Sequence, residues 1–286
     1  MLHPQTGEIF CFNKPYTLTS FRIVSKVRGI LNSRLGLKAK DLKVGHAGTL
    51  DPLASGVLIV CTGKATKQID ELQAGTKEYV ATLKLGATTP SFDRETAEDA
   101  TYPFAHITRE LVEATLPKFL GRIEQIPPRF SAVKVDGKRA FKLARKGVEM
   151  ELKPKILVID EIELLSCQLE PPTPTKNQPQ MTDGADSTFK PQAINIKSLT
   201  PELIDQFQKE NEASSLQYPS ITIRIVCSKG TYIRALARDI GEALGSGAYL
   251  TSLCRTRIGN YTLQQSLDIN DFESFVNSQE IEIISE

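Results

Sequence analysis

The feature that most limits how this 286-residue chain can fold is a break in its second half. Residues 170–219 hold seven of the sixteen prolines (Pro171, Pro172, Pro174, Pro179, Pro191, Pro201 and Pro219), set among Gln, Ser and Thr. Proline fixes φ and removes a backbone donor, and a stretch so poor in large apolar residues cannot bury enough surface to offset its own ordering entropy. It is expected to be an inserted surface loop, partly disordered. A folded core must then be assembled from residues 1–169 and 220–265, with 266–286 left as a short acidic tail.

Within those pieces, Glu8–Phe12, Val57–Cys61, Glu78–Leu85, residues 120–125 and 131–135, Ile156–Leu165 and Ile221–Cys227 read as strands. Phe21, Val24, Val27, Ile30 and Leu31 recur at helical spacing behind Thr19 or Ser20, either of which is a good N-cap. Further helices are expected at Ala65–Leu72, at Thr108–Leu116 before Pro117, at the basic stretch Lys138–Lys146 before Gly147, and at Tyr232–Leu244 before Gly245. Several strands follow one another directly, with no regular βαβ rhythm. The fold class is therefore α+β, on a mixed, largely antiparallel central sheet with flanking helices.

Charge matters for the choice of partner. The chain carries 35 Lys+Arg against 34 Asp+Glu, a balance that taken as a sum argues against nucleic-acid binding. By segment the picture differs: residues 1–67 and 118–155 each carry +7, residues 222–258 carry +4, and the rest carries −17. A fold that gathers those three segments presents one basic face and an acidic remainder; chance unevenness of a solvated surface is the competing reading.

Other classes are disfavoured. The five cysteines are scattered without a C-x-x-C pair, and the three histidines stand far apart, which argues against a disulfide framework and against a metal site. Reduced thiols fit a cytoplasmic location. No apolar run approaches the ~18–20 residues of a membrane span, and the first ten residues lack the pattern of a secretory signal. Gly63-Lys64 is followed by Ala65, so it is no Walker loop; Gly245-Ser246-Gly247 lacks the third glycine of a dinucleotide fingerprint; no G-x-S-x-G elbow is present.

What remains is the run from Gly45 to Leu58, GHAGTLDPLASGVL. Its glycines permit close backbone approaches, and Pro52 biases Asp51 away from helix, so this carboxylate sits on extended or turn backbone. Taken alone, Asp before Pro is also a common turn pair.

The whole string resembles the G-H-x-G-x-L-D-P-x-A-x-G-V-L signature of the TruB family of tRNA pseudouridine synthases. Further boxes are similar and in the family's order: Asn13-Lys14-Pro15 with Thr19-Ser20; Lys77-Glu78-Tyr79; Ile126-Pro127-Pro128 with Ser131-Ala132 and Lys134; Ala144-Arg145-Lys146-Gly147; and Cys227-Ser228-Lys229-Gly230-Thr231-Tyr232-Ile233-Arg234. The resemblance covers roughly residues 9–166 and 220–262. Thr17, Phe141 and Cys254 depart from the family's usual residues, which touches fine RNA contacts only.

The resemblance implies the pseudouridine synthase fold and an isomerisation of a uridine in the T-arm loop of tRNA (position 55). The N1–C1′ bond breaks, the uracil turns, and C5 joins C1′, with no cofactor. It implies Asp51 as the nucleophile, or as an ion stabilising the sugar, with attack at C1′ or at C6 left open. Arg234 is implied as the partner that keeps Asp51 charged by lowering its pKa, and Tyr79 as the residue that stacks on uracil and handles the C5 proton. His46 is expected to help hold the flipped uridine, and Tyr232 and Leu253 to line the pocket. Lys14, Lys77, Lys134, Arg145 and Lys229, with Lys64 and Arg129, are expected RNA contacts. The implied partner is the T-arm stem-loop of tRNA, with no membrane and no obligate protein partner. The stretch after Tyr261 is expected to be too short for a separate C-terminal RNA-binding domain. The competing readings are a non-catalytic RNA-binding or tRNA-folding module and a synthase acting on another RNA, including the guide-dependent branch.

Overall fold

A computed structural model describes residues 1–38, 40–169 and 219–282; the expected inserted loop up to residue 218 and the last four residues lie outside the described residues. In chain order the strands are β1 (Ile9–Lys14), β2 (Val44–Ala47), β3 (Ser55–Thr62), β4 (Lys77–Leu85), β5 (Ala87–Thr88), β6 (Ala100–Thr101) and β7 (Gly121–Gln125). They continue as β8 (Lys134–Val135), β9 (Lys138–Arg139), β10 (Lys155–Gln168), β11 (Ser220–Cys227), β12 (Ala248–Ile258), β13 (Tyr261–Thr262) and β14 (Leu267–Asp268). The helices described are α1 (Ser20–Leu35), α2 (Ile69–Ala74), α3 (Arg109–Thr115), α4 (Ala140–Ala144), α5 (Ile233–Ala243) and α6 (Phe272–Asn277).

One ten-stranded sheet organises the molecule in the order β14-β1-β3-β12-β4-β11-β10-β7, with β2 on β3 and β13 on β12. Its pairings are antiparallel except β1 with β14 and β3 with β12, so the sheet is mixed and largely antiparallel. The two pieces of sequence interleave. Strand β12 lies between β3 and β4, and β11 lies between β4 and β10.

The helices cover the sheet with apolar faces. Thr19 caps α1 by accepting from the Arg22 N–H, and Gly36 at φ 66° ends it in the left-handed conformation that glycine adopts without a Cβ penalty. The buried face of α1 is Ile23, Val24, Val27 and Leu31, packed with Phe10 and Phe12 of β1 and with Phe272 of α6. Phe272 meets both phenylalanines edge-on at 5.1 Å. Thus residues expected as an acidic tail contribute Ile269, Phe272 and Val276 to the core. A second core lies under α5 and α3, where Leu236 and Ile240 pack on Leu83, Ile221, Ile223 and Ile225. Each such side chain is worth about 1.5–3 kcal/mol on burial.

Three local expectations are corrected, and two strands are added. Phe21 is 68% exposed, while Ile23 takes the buried position. In residues 131–135 only Lys134–Val135 is strand, and the basic helix shrinks to Ala140–Ala144, because Asp136-Gly137, both at positive φ, make a tight β8–β9 hairpin first. Val44–Ala47 pairs with β3 as a strand. The eleven-residue strand β12 was not foreseen at all.

Candidate active site

Asp51 sits on the turn between β2 and β3. Lys14, at the end of β1, places its ammonium under that turn, donating to the carbonyls of Pro15 (2.9 Å), Leu18 (2.6 Å) and Pro52 (3.4 Å). The Thr17 N–H donates to the Pro52 carbonyl, and the Ser20 hydroxyl donates to the Leu50 carbonyl while accepting from the Leu50 N–H. The start of α1 thus holds the Asp51 turn by its backbone.

Arg234, on the first turn of α5, closes the site from the other side. Its Nε lies 2.9 Å from Asp51 Oδ2 and its Nη1 3.4 Å from Asp93 Oδ2. The same guanidinium donates to the carbonyls of Ser91 (3.3 Å) and Phe130 (3.0 Å). The forked donors of arginine suit such a junction of three loops. Arg234 itself is fixed by a backbone-like device: Gln125 accepts from the Tyr232 N–H at 2.9 Å and donates to the Tyr232 carbonyl at 3.2 Å.

The Asp51 side chain keeps 40% exposure, whereas Arg234 and Asp93 keep 6% and 9%. The carboxylate opens onto a shallow cleft walled by Leu53, Asp93, Arg94, Arg234 and the Leu250–Leu253 stretch of β12. Burial raises the Asp51 carboxyl above its ordinary pKa; the Arg234 charge opposes this, Asp93 and Glu95 add to it, and Lys14 opposes it. Arg234 lowers it, in the direction the sequence reading gives, yet the net direction is upward. Lost hydration outweighs a guanidinium that is shared with Asp93.

Tyr79 lies on β4 directly across from Arg255 of β12. Burial pushes its phenol up, and Arg255 pulls it back by charge and hydrogen bonding. His46 pairs across β2–β3 with Val60, and its Nδ1 is buried without a hydrogen-bond partner among the described residues. Burial and then the Arg255 charge lower its pKa, so the ring is held neutral. Leu253 lines the cleft, and Tyr232 is half-buried beside Arg234.

Two expected RNA contacts are corrected. Lys14 is fully buried and its pKa is pushed down to about 8, chiefly by burial. Lys77 is 5% exposed, donates to the carbonyls of Gln73 and Gly75, and is likewise lowered to about 8. Both are internal struts. Lys64, Arg129, Lys134 and Lys229 are exposed, and Arg145 is exposed while paired with Glu95 at 2.7 Å. Sequence reasoning missed Asp93, Gln125 and Arg255. Asp93 lies in a loop of no readable pattern, Gln125 looks like an ordinary polar strand residue, and Arg255 stands in the unforeseen β12. Among the described residues no group of three His, Cys, Asp or Glu could hold a metal ion, and no helix is long and apolar enough to cross a membrane.

Residues 34–176 match the model of the TruB family pseudouridylate synthase N-terminal domain, and residues 234–283 match that of the tRNA pseudouridylate synthase B C-terminal domain. A tRNA pseudouridine synthase B of Bacteroides thetaiotaomicron is 56% identical over 276 residues, which is 96% of this chain and 95% of that protein. This chain belongs to the TruB family. The Thermus thermophilus tRNA pseudouridine synthase B is 36% identical over 96% of this TruB-family chain and 80% of its own length. Among solved structures, a Cbf5-Nop10-Gar1 complex superposes with a TM-score of 0.58 at 24% identity, covering 96% of this chain and 55% of that one. That likeness shows the shared pseudouridine synthase fold. The family boxes read from sequence therefore converge in space: the Asp51 turn, Tyr79 and Arg234 stand on β2–β3, β4 and α5 around β12.

Proposed function

We propose that this TruB-family enzyme isomerises a uridine of the tRNA T-arm loop to pseudouridine, with Asp51 as the reacting carboxylate. The observation that carries the reading is the Asp51–Arg234 pair at 2.9 Å, in which the arginine is buried and the aspartate still faces the cleft. Glycosidic cleavage leaves positive character on the sugar, and an ionised carboxylate beside it serves either as nucleophile or as counter-charge. Arg234 holds Asp51 ionised and aimed, against the pull of burial. Tyr79 stacks on the detached uracil and relays the C5 proton, while Leu253 and Tyr232 form the apolar walls that hold the base.

The neutral, half-buried His46 helps keep the uridine out of its stack, and the exposed cations Lys134, Arg145 and Lys229 meet phosphates. The five cysteines, all free thiols, support a cytoplasmic place of action. The test is tritium release from C5 of uridine in an unmodified tRNA and in an isolated T-arm stem-loop. Wild type is expected to release label from both, and Asp51→Asn from neither while binding RNA normally. Binding without release by the wild type overturns the reading in favour of an RNA-folding module.

A further inference from the structure

Arg255 is among the largest fully buried side chains of the protein, at 2% exposure. Among the described residues it has no Asp or Glu within ion-pairing distance; its partners are neutral, with Nε donating to the Val57 carbonyl at 2.8 Å, Nη2 to the Gly48 carbonyl at 3.1 Å, and the Tyr79 hydroxyl also hydrogen-bonded to it. A buried cation with no counter-ion is expensive, and replacing it by an apolar residue of similar volume is often stabilising. Stability alone is a poor reason for its presence.

Its position supplies a better one. Gly48 opens the turn that carries Asp51, directly after β2, and Val57 lies on β3 just past the point where that turn closes. The parallel register of β3 with β12 sets Arg255 against Gly56, and the antiparallel register of β12 with β4 sets it against Tyr79. The glycines at the turn ends fit around it. A Cβ on Gly56, at φ +104°, meets the Arg255 carbonyl oxygen at 2.2 Å, and one on Gly48 stands 3.6 Å from Nη1. One side chain therefore spans both ends of the Asp51 turn and stands next to Tyr79, while lying under the cleft and outside its wall.

We propose that Arg255 is a positioning residue for the isomerisation, a brace that fixes the Asp51 carboxylate and the Tyr79 ring at one separation by tying both ends of the Asp51 turn to β12. The proposal rests on the assignment of Asp51 and Tyr79 to the reaction. It explains the guanidinium fork: Nε and Nη2 are separate, rigidly spaced donors that fix the two carbonyls relative to each other, whereas lysine offers all its donors from one freely rotating atom. The charge also favours the Tyr79 hydroxyl as a proton donor, against the effect of burial.

The test compares Arg255→Lys and Arg255→Met with wild type, measuring single-turnover pseudouridine formation in a T-arm stem-loop at saturating enzyme, RNA affinity and the melting temperature. Arg255→Lys is expected to lower the rate on the order of 10²-fold, with RNA affinity within about threefold of wild type, because misplaced reacting groups slow chemistry and leave ground-state binding intact. Arg255→Met is expected to be slower still, with a melting temperature equal to or above wild type. A rate within about threefold of wild type for Arg255→Lys overturns the proposal, as does a loss of affinity that matches the loss of rate. If Arg255→Met does not fold, Arg255→Lys decides alone; if neither folds, Arg255 is a structural residue only and the proposal fails. A wild-type protein inactive on the stem-loop and on tRNA instead removes the assignment of function.

Discussion

Arg234 holds two carboxylates with one guanidinium, Asp51 at 2.9 Å and Asp93 at 3.4 Å. Both acids compete for the same donor, and the Lys14 charge assists from beneath the turn. Asp51 is therefore an activated carboxylate: less hydrated than a surface acid and only partly neutralised.

That state has a stability signature. Because the folded pKa of Asp51 lies above its ordinary 3.8, the folded protein binds this proton more tightly than the unfolded chain does. The stabilisation is present below pH 3.8 and is lost as pH rises through the folded pKa. Asp51→Asn, which mimics the neutral form, is expected to abolish pseudouridine formation and to raise the melting temperature at pH 7, with the gain vanishing near pH 3. Differential scanning calorimetry at the two pH values checks it.

Asp93→Asn removes a charge that raises the Asp51 pKa. The acid limb of the pH–rate profile is expected to move to lower pH, while the plateau rate falls on the order of 10-fold as Arg234 loses an anchor. A limb that moves to higher pH contradicts the electrostatics described above.

Gly56→Ala places a Cβ 2.2 Å from the Arg255 carbonyl oxygen, on backbone at φ +104°. A loss of roughly 2 kcal/mol or more in urea unfolding is expected, since neither strand can yield without breaking the β3–β12 pairing. Gly137→Ala, in the open β8–β9 turn with nothing within 4 Å of the new Cβ, is the control and should lose only the cost of its own positive φ.

Thiol chemistry reports on the core. Burial pushes Cys11 to about 12 and Cys61, Cys227 and Cys254 to about 11, so none is a thiolate at pH 8. Cys167, half-buried, is expected to be the one thiol alkylated in the native protein, with the other four reacting only in denaturant; mass spectrometry after iodoacetamide treatment distinguishes them.

Replacing Lys134, Lys138 and Arg139 of the exposed β8–β9 hairpin by Ala is expected to weaken tRNA binding. It should also flatten the slope of log affinity against log salt by about 2–3, one counterion per lost phosphate contact. An unchanged slope shows that this hairpin does not face the RNA.

Helix α1 was readable because a cap and a 3.6-residue apolar period coincide. Strand β12 was not, because its pattern is broken by Thr251, Ser252, Arg255, Thr256 and Arg257. Most of these find partners only in the finished sheet: Thr251 donates to the Thr82 carbonyl, Thr256 to Glu78, and Arg255 to Val57 and Gly48. Asp51, Tyr79 and Arg234 were legible through the family boxes, since nothing in an isolated Asp-Pro or an isolated Arg separates a reacting group from a turn or a surface cation. Lys14 and Lys77 misled for a related reason. Lysine is usually outside, and these two are admitted by carbonyls that neighbouring turns present, Pro15 and Leu18 for Lys14 and Gln73 and Gly75 for Lys77, with only Pro52 coming from a distant segment.

The interleaved sheet also governs how the protein is born. Both neighbours of β4 come from beyond residue 219, and so does the strand that closes β3 on its inner side. A ribosome that has delivered the first piece has delivered strands with open edges, and these must wait through the synthesis of the intervening residues before β11 and β12 arrive to fill them. Pairings of such long sequence separation form slowly. The reaction centre therefore cannot exist on a partial chain: Asp51 and Tyr79 emerge early, but the arginines that organise them come last.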